Sequence, residues 1–311
     1  MNSKRRIRAL LGAILVMGLL PLLGVPGFYT LSNLRNMTMD CLPTLVAACG
    51  MTLVIVTAEI DISIGSIYVA CGAVAGLAAK AGLPMPLVGV ATLGFGAALG
   101  TINGLLVAWA AIPSIIATLA TLAIIRNSLL RATQGSWIQN LPDRFQWFGL
   151  GQAEAQWLYP IAALLVLVGT TLFLARTSPG RSFYAVGCSH EASRRIGISP
   201  ARVTAAAFVL MGLATAGAAL LNFTRYPAIE TTAGLGFELQ VIAAVVVGGT
   251  AITGGRGSVL GSFLGVILLG MIGTVFTFLH ANPAWLKAIQ GAIILIAVVS
   301  DTAFNRESRD A

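Results

Sequence analysis

Apolar runs of roughly 20 residues recur along the whole of this sequence, the length an α-helix needs to cross about 30 Å of hydrocarbon. Inside lipid no water can satisfy a backbone N–H or C=O, so segments of this kind fold as helices. Composition points the same way. Of the 311 residues, 57% are hydrophobic and 10% charged, with a mean hydropathy of +0.89, whereas soluble domains carry about 25% charged residues. The expected fold is all-α and polytopic, with one membrane-spanning domain over residues 1–311 and no soluble domain of useful size.

Ten spans are expected, near 7–27, 41–58, 61–80, 84–108, 112–130, 157–175, 202–222, 238–253, 257–279 and 284–302. The eighth is short and rich in glycine. With the N-terminus inside, the C-terminus also falls inside. Twelve basic residues then lie on the inner side: Lys4, Arg5, Arg6, Arg8, Arg176, Arg181, Arg194, Arg195, Arg202, Arg256, Arg306 and Arg309. Six lie outside, namely Arg35, Lys80, Arg131, Arg144, Arg225 and Lys287, which satisfies the positive-inside rule. Tyr29, Trp157, Tyr159 and Trp285 land at outer ends and Trp109 at an inner one, as interfacial aromatics should. The net charge of +8 is therefore explained by topology and anionic lipid headgroups, not by nucleic acid. MNSKRRIR followed by ALLGAILVMGLLPLLG has the outline of a signal peptide but no clear A-x-A site, so an uncleaved first helix is expected.

The stretch TAEIDISIGS (57–66) sets Glu59 and Asp61 between two apolar runs. Residues from Ile67 to Lys80 are too few to span the bilayer, so the third helix must begin near Asp61, at the inner boundary. A carboxylate there can accept from the unpaired N–H groups of the first turn and is favoured by the helix dipole. Ser63 and Ser66 add acceptors, and Gly65 permits close backbone approach. The rival reading makes Glu59 and Asp61 a proton or cation relay.

A second glycine-rich element, GGTAITGGRGSVLG (248–261), falls on the same side and holds Gly254, Gly255 and Gly257. Gly65-Ser66-Ile67 and Gly257-Ser258-Val259 hint at a weak internal repeat. Neither element is a phosphate loop, because G-x-x-x-x-G-K-[ST] is absent from the chain. Glycines four residues apart (Gly72/Gly76, Gly96/Gly100/Gly104, Gly257/Gly261/Gly265) mark close helix packing. Cys41, Cys49, Cys71 and Cys188 lack metal-ligand spacing; three of them read as small packing residues. His190 and His280 fall on opposite sides, so no hydrolytic site assembles and an enzyme is not expected.

Between the sixth and seventh spans, 175–202 forms the longest and most basic inner loop. Within it EASRRIGI suggests a short amphipathic helix, with Ala192 and Ile196 on one side and Glu191, Arg194 and Arg195 solvated. Gly187 and Gly197 punctuate its two ends. The pattern G-R-x-F/Y-Y-A-x-G-x-x-x-x-A-x-x-x-G-I here resembles the coupling-helix region of ribose-type ABC importer permeases. Three further stretches are similar to that family and keep its order: EIDISIGS (59–66), IPSIIATLATLAIIR (112–126) and GFELQVIAAVVVGGTAITGGRGSVLG (236–261). Through GRSFYAVG and VAWAAIPSIIATLATL the chain most resembles permeases for rhamnose and for autoinducer-2.

That resemblance implies a multi-pass subunit of a bacterial inner membrane, with no covalent chemistry of its own. Two permease subunits, alike or different, would form the path, above two ATPase subunits and below a periplasmic sugar-binding protein. ATP and Mg would be used by the ATPase, and this chain would bind neither. Gly187, Glu191, Ala192 and Gly197 match the coupling motif and would dock in the ATPase groove, beside Arg194 and Arg195. The family often has Gly-Asn before this helix; here Gly187 is followed by Cys188-Ser189-His190, which leaves the role of His190 open.

Candidates for the substrate path are Asn103, Thr118, Thr121 and Asn127, with Phe208 and Phe276 as aromatic faces. Each also suits ordinary interhelical packing. The outer loop 131–157, with three tryptophans, would lie along the interface and help receive the binding protein. Arg126, inside an apolar run, either snorkels outward or pairs with an acid. The contrasting function is an ion-coupled secondary transporter using Glu59 and Asp61, although such carriers place their acids near the midplane.

Overall fold

The computed structural model describes residues 3–19, 21 and 27–307. Among them are twelve α-helices: α1 (Ser3–Leu19), α2 (Leu31–Val56), α3 (Ile64–Lys80), α4 (Met85–Ala108), α5 (Ser114–Thr133), α6 (Gln152–Arg176), α7 (Ser178–Cys188), α8 (His190–Arg195), α9 (Pro200–Phe223), α10 (Phe237–Val247), α11 (Val259–Phe278) and α12 (Pro283–Glu307). The only β pairing among the described residues is an isolated bridge between Ile138 and Ile229. Each expected span has its helix, and the two additional helices, α7 and α8, lie in the basic loop. Six helices (α2, α4, α5, α6, α9 and α11) are long and apolar enough to cross a membrane on those grounds alone. The chain is a multi-pass membrane protein; α1, α3, α10 and α12 carry shorter apolar stretches.

Several boundaries differ from the sequence expectation. The second helix begins at Leu31, ten residues before the expected 41, because Thr30 caps it: its Oγ1 accepts from the Asn33 N–H at 3.3 Å. The polar turns 31–40 carry the helix beyond its apolar core. Gln152 rather than 157 starts α6, where the Glu154 carboxylate accepts from the Gly151 N–H at 3.2 Å. Part of the first expected span, at 20 and 22–26, lies outside the described residues, as does Arg309; the side chains of Lys4, Arg5, Arg6 and Arg306 are likewise outside what is described.

The packing centre is α2, whose residues from Leu42 to Val56 are all buried. It is flanked by α9, which also lies along α4. Lipid offers no hydrophobic drive for helix association, so the contact must come from close backbone approach. The α4 glycines supply it: Gly96 faces Gly212 and Ala216, Gly100 faces the Phe208 carbonyl, and Gly104 faces Ala205. Gly265 and Gly261 do the same for α11, against Ala244 and Gly248. A buried polar tie joins α2 to α11, where the hydroxyls of Thr52 and Ser262 lie 2.8 Å apart.

One end of the bundle is tied by aromatic loops. The Trp147 N–H donates to the Thr224 carbonyl at 2.6 Å, the Tyr159 hydroxyl lies 2.7 Å from that of Thr224, and Lys80 donates to the Gln139 carbonyl at 3.0 Å. At the opposite end sit α7, α8 and the two glycine-rich turns. Gly212→Val would press methyl groups into the Gly96 carbonyl. Overpacking of this kind is expected to destabilise by about 1–3 kcal/mol and to lower the melting midpoint in detergent. Gly94→Val, in open space on α4, should leave it unchanged. Equal midpoints for the two variants would contradict the backbone-contact account.

Candidate functional site

After Val56 the chain leaves helical geometry for seven residues and resumes it at Ile64. Ala58 takes a left-handed φ of +66° to make the turn. The interrupted backbone needs partners, and neighbouring side chains provide them. The Ile60 N–H donates to Ser114 Oγ at 3.2 Å, and the Ile62 N–H donates to Thr118 Oγ1 at 3.2 Å. Asp61 is fully buried. Its Oδ1 accepts from the Ser63 N–H at 2.9 Å and from the Ser63 hydroxyl at 2.6 Å. Asn103 Nδ2 donates in turn to Ser63 Oγ at 2.8 Å.

The expectation that Asp61 reaches the first-turn N–H groups therefore needs correction. It holds Ser63, the residue before the helix, and stabilises the turn rather than the helix end. Glu59 is half-buried; burial pushes its carboxyl above the ordinary range, while the Ser114 hydroxyl and nearby His190 pull it back.

The second break follows α10. Gly249, Gly254 and Gly255 all have positive φ, at +92°, +82° and +70°. Such conformations are nearly free for glycine and strained for other residues. Ser258 caps α11, accepting from the Gly261 N–H at 3.4 Å. The two breaks touch: the Gly255 N–H donates to the Val56 carbonyl at 2.9 Å, and Gly254 abuts Ala58. Thus Glu59, Asp61, Ser63, Gly254, Gly255 and Gly257 belong to one double turn. Gly65, just above it, lies instead against Gly234 and the Glu238 carboxylate at the start of α10.

The double turn is gripped from below by α7. Thr177 caps this helix through the Gly180 N–H at 3.0 Å, and Pro179 fits its first turn. At its far end the Tyr184 hydroxyl donates to the Gly257 carbonyl at 3.1 Å. Gly187 packs on the Val56 carbonyl and the Gly255 nitrogen so closely that no Cβ would fit. Its position is therefore internal.

A turn at Ser189, which accepts from the Ala192 N–H at 3.2 Å, starts α8. Glu191 and Arg195 pair at 2.5 Å with both side chains 77% exposed, a pairing that adds little stability. Ile196 is 70% exposed and Ala192 is exposed too, while Ser193 is the buried residue. The expected amphipathic pattern is thus inverted: the apolar residues face out with Arg194 and Arg195. Gly197, at φ +82°, ends the helix with open space around it.

The expected substrate residues line neither of the two hollows between α2, α10, α11 and α12. Asn103 and Thr118 belong to the first break, and Thr121 donates to the Thr118 carbonyl at 3.2 Å. Phe208 is fully buried between α9 and α4, Phe276 is half-buried on α11, and Asn127 is exposed on α5. Arg126 has no acid partner among the described residues. Hollows of about 410 and 310 Å³ open instead between α2, α10, α11 and α12, sharing Asp40, Thr44, Gln240 and Leu286. The sequence signal was an i, i+4 pair of polar residues on α2, Asp40 and Thr44, falling where the helix was expected only to begin.

Comparison with known proteins now adds its weight. A family model described as the permease component of a branched-chain amino acid transport system matches residues 33–298. The autoinducer 2 import system permease protein LsrC of Escherichia coli (strain K12 / DH10B) is 34% identical over 96% of this chain and 87% of its own length. The protein of the same name from Enterobacter sp. (strain 638) is 33% identical over 96% and 87%, and that from Photorhabdus luminescens 31% over 96% and 90%. With the matched region running from α2 to α12, the chain belongs to the branched-chain amino acid transport system permease family, in its ribose-type ABC importer class.

Proposed function

We propose that this chain is the membrane-spanning half of a bacterial importer that moves a small sugar-like solute inward, powered by a separate ATPase docked on α8. One observation carries the reading: α8 projects Ala192, Arg194, Arg195 and Ile196 outward, while α7, one residue before it, is hydrogen-bonded to the second break and packs against the end of α2 where the first begins. A push on the exposed helix would reach the transmembrane helices without a flexible link. Glu191 and Gly197 shape α8, and Gly187 transmits from it. ATP and Mg would be held by the ATPase, and a second permease subunit and a periplasmic sugar-binding protein would complete the assembly. The whole chain acts as one domain, with ten helices crossing and both termini inside. Autoinducer 2 is the first solute to test, because relatives similar over nearly the whole chain are named for its import; rhamnose and ribose follow.

An ion-coupled carrier gains no support. Asp61 and Glu59 are bound to the turn by Ser63 and Ser114 and sit at one end of the bundle, not at its middle.

Two experiments test the docking and the linkage separately. Glu191→Arg and Gly197→Pro should leave membrane insertion intact but abolish ATP-driven uptake and co-purification with the ATPase. Normal uptake by both would remove the docking assignment. Gly187→Val should retain the ATPase yet import much less solute per ATP hydrolysed. Unchanged stoichiometry in that variant would remove the linkage through α7.

A further inference from the structure

The twin hollow between α2, α10 and α12 has a polar lining that packing alone does not explain. Gln290 of α12 is only 3% exposed and lines the smaller hollow. Lys287, one helical turn earlier, reaches over Gly236 at the start of α10; no acid lies within ion-pairing distance among the described residues.

The opposite wall offers acceptors. Gln240 Nε2 donates to Thr44 Oγ1 at 3.1 Å, which leaves the Gln240 carbonyl and the Thr44 proton for another molecule. Asp40 accepts from Arg225 at 2.8 Å, and its side chain stays 64% exposed with free lone pairs. That guanidinium offsets the carboxylate charge without covering it.

We propose that this hollow is a binding site for a small, uncharged, polyhydroxylated solute in passage through the protein. Its hydroxyl protons go to Asp40 and Gln240, and its oxygens accept from Lys287, Gln290 and Thr44. An apolar molecule would leave these groups unpaired, a metal ion would meet Lys287 and Arg225, and an anion would meet Asp40. The volumes, about 410 and 310 Å³, lie within the range of small-molecule sites. Neither hollow is sealed. The assignment rests on the importer reading above, and it names the place and chemistry of contact.

Gln290→Leu and Thr44→Val keep side-chain volume and remove only polar atoms. The complete transporter, with ATPase and binding protein, is reconstituted in proteoliposomes and supplied with radiolabelled autoinducer 2, L-rhamnose or D-ribose. For whichever of these the wild type imports, each variant should import about tenfold more slowly, the loss expected from roughly one hydrogen bond, with assembly and melting midpoint unchanged. Import by both variants at the wild-type rate overturns the site while leaving the importer reading intact. A wild type that imports none of the three with ATP, yet accumulates one on an ion gradient, overturns the importer reading and the site with it.

Discussion

Backbone that leaves helical geometry at the edge of a membrane must still find partners for every N–H and C=O. In this protein two such breaks, 57–63 and 248–258, meet each other, and their backbone groups find partners across that contact and on a neighbouring helix. The Val56 carbonyl, lacking a helical partner of its own, takes the Gly255 N–H at 2.9 Å; the Ile60 and Ile62 N–H groups turn to hydroxyls on α5. Because the breaks complete one another, neither can shift alone. The glycines that permit the second turn are also those that let it lie against Ala58 and Cys188.

The same constraint accounts for the acids. Asp61 is costly to bury, but Ser63 donates to it twice and Asn103 anchors that serine from another helix. A carboxylate so engaged organises a turn. Its oxygen Oδ2 and the Asn103 Oδ1 lack partners among the described residues. The glycine-lined contact of α4 with α9 holds the rest of the bundle. α8 hangs from α7, and α7 packs where the end of α2 meets the turn before α11.

Much of this was legible from sequence because lipid simplifies the code: ten apolar segments became ten helices, and four-residue glycine spacing became close contacts. Family motifs marked the double turn and α8. Three features were not legible. SPGRSFYAVGC became α7, since Pro179 and Gly180 sit in its first turn and Gly187 in its last, where they do little harm. Ile196 points outward because Ser193 is the residue packed inside, a choice that depends on how α8 is hung from Ser189. The hollow escaped notice because its walls come from Asp40, Gln240 and Gln290, which only the tertiary fold brings together. Of the substrate-path residues expected from mid-span polarity, Thr118 accepts from the Ile62 N–H and Asn103 donates to the Ser63 hydroxyl.

The central claim is that this chain is a conduit moved by an engine it does not contain. Reconstitution in sealed vesicles tests it most directly, comparing the chain alone with the chain plus its ATPase, binding protein and ATP. Accumulation of solute only in the complete, ATP-supplied vesicles, undiminished by a proton uncoupler, is the result the account predicts. Accumulation by the chain alone on an imposed ion gradient would contradict it.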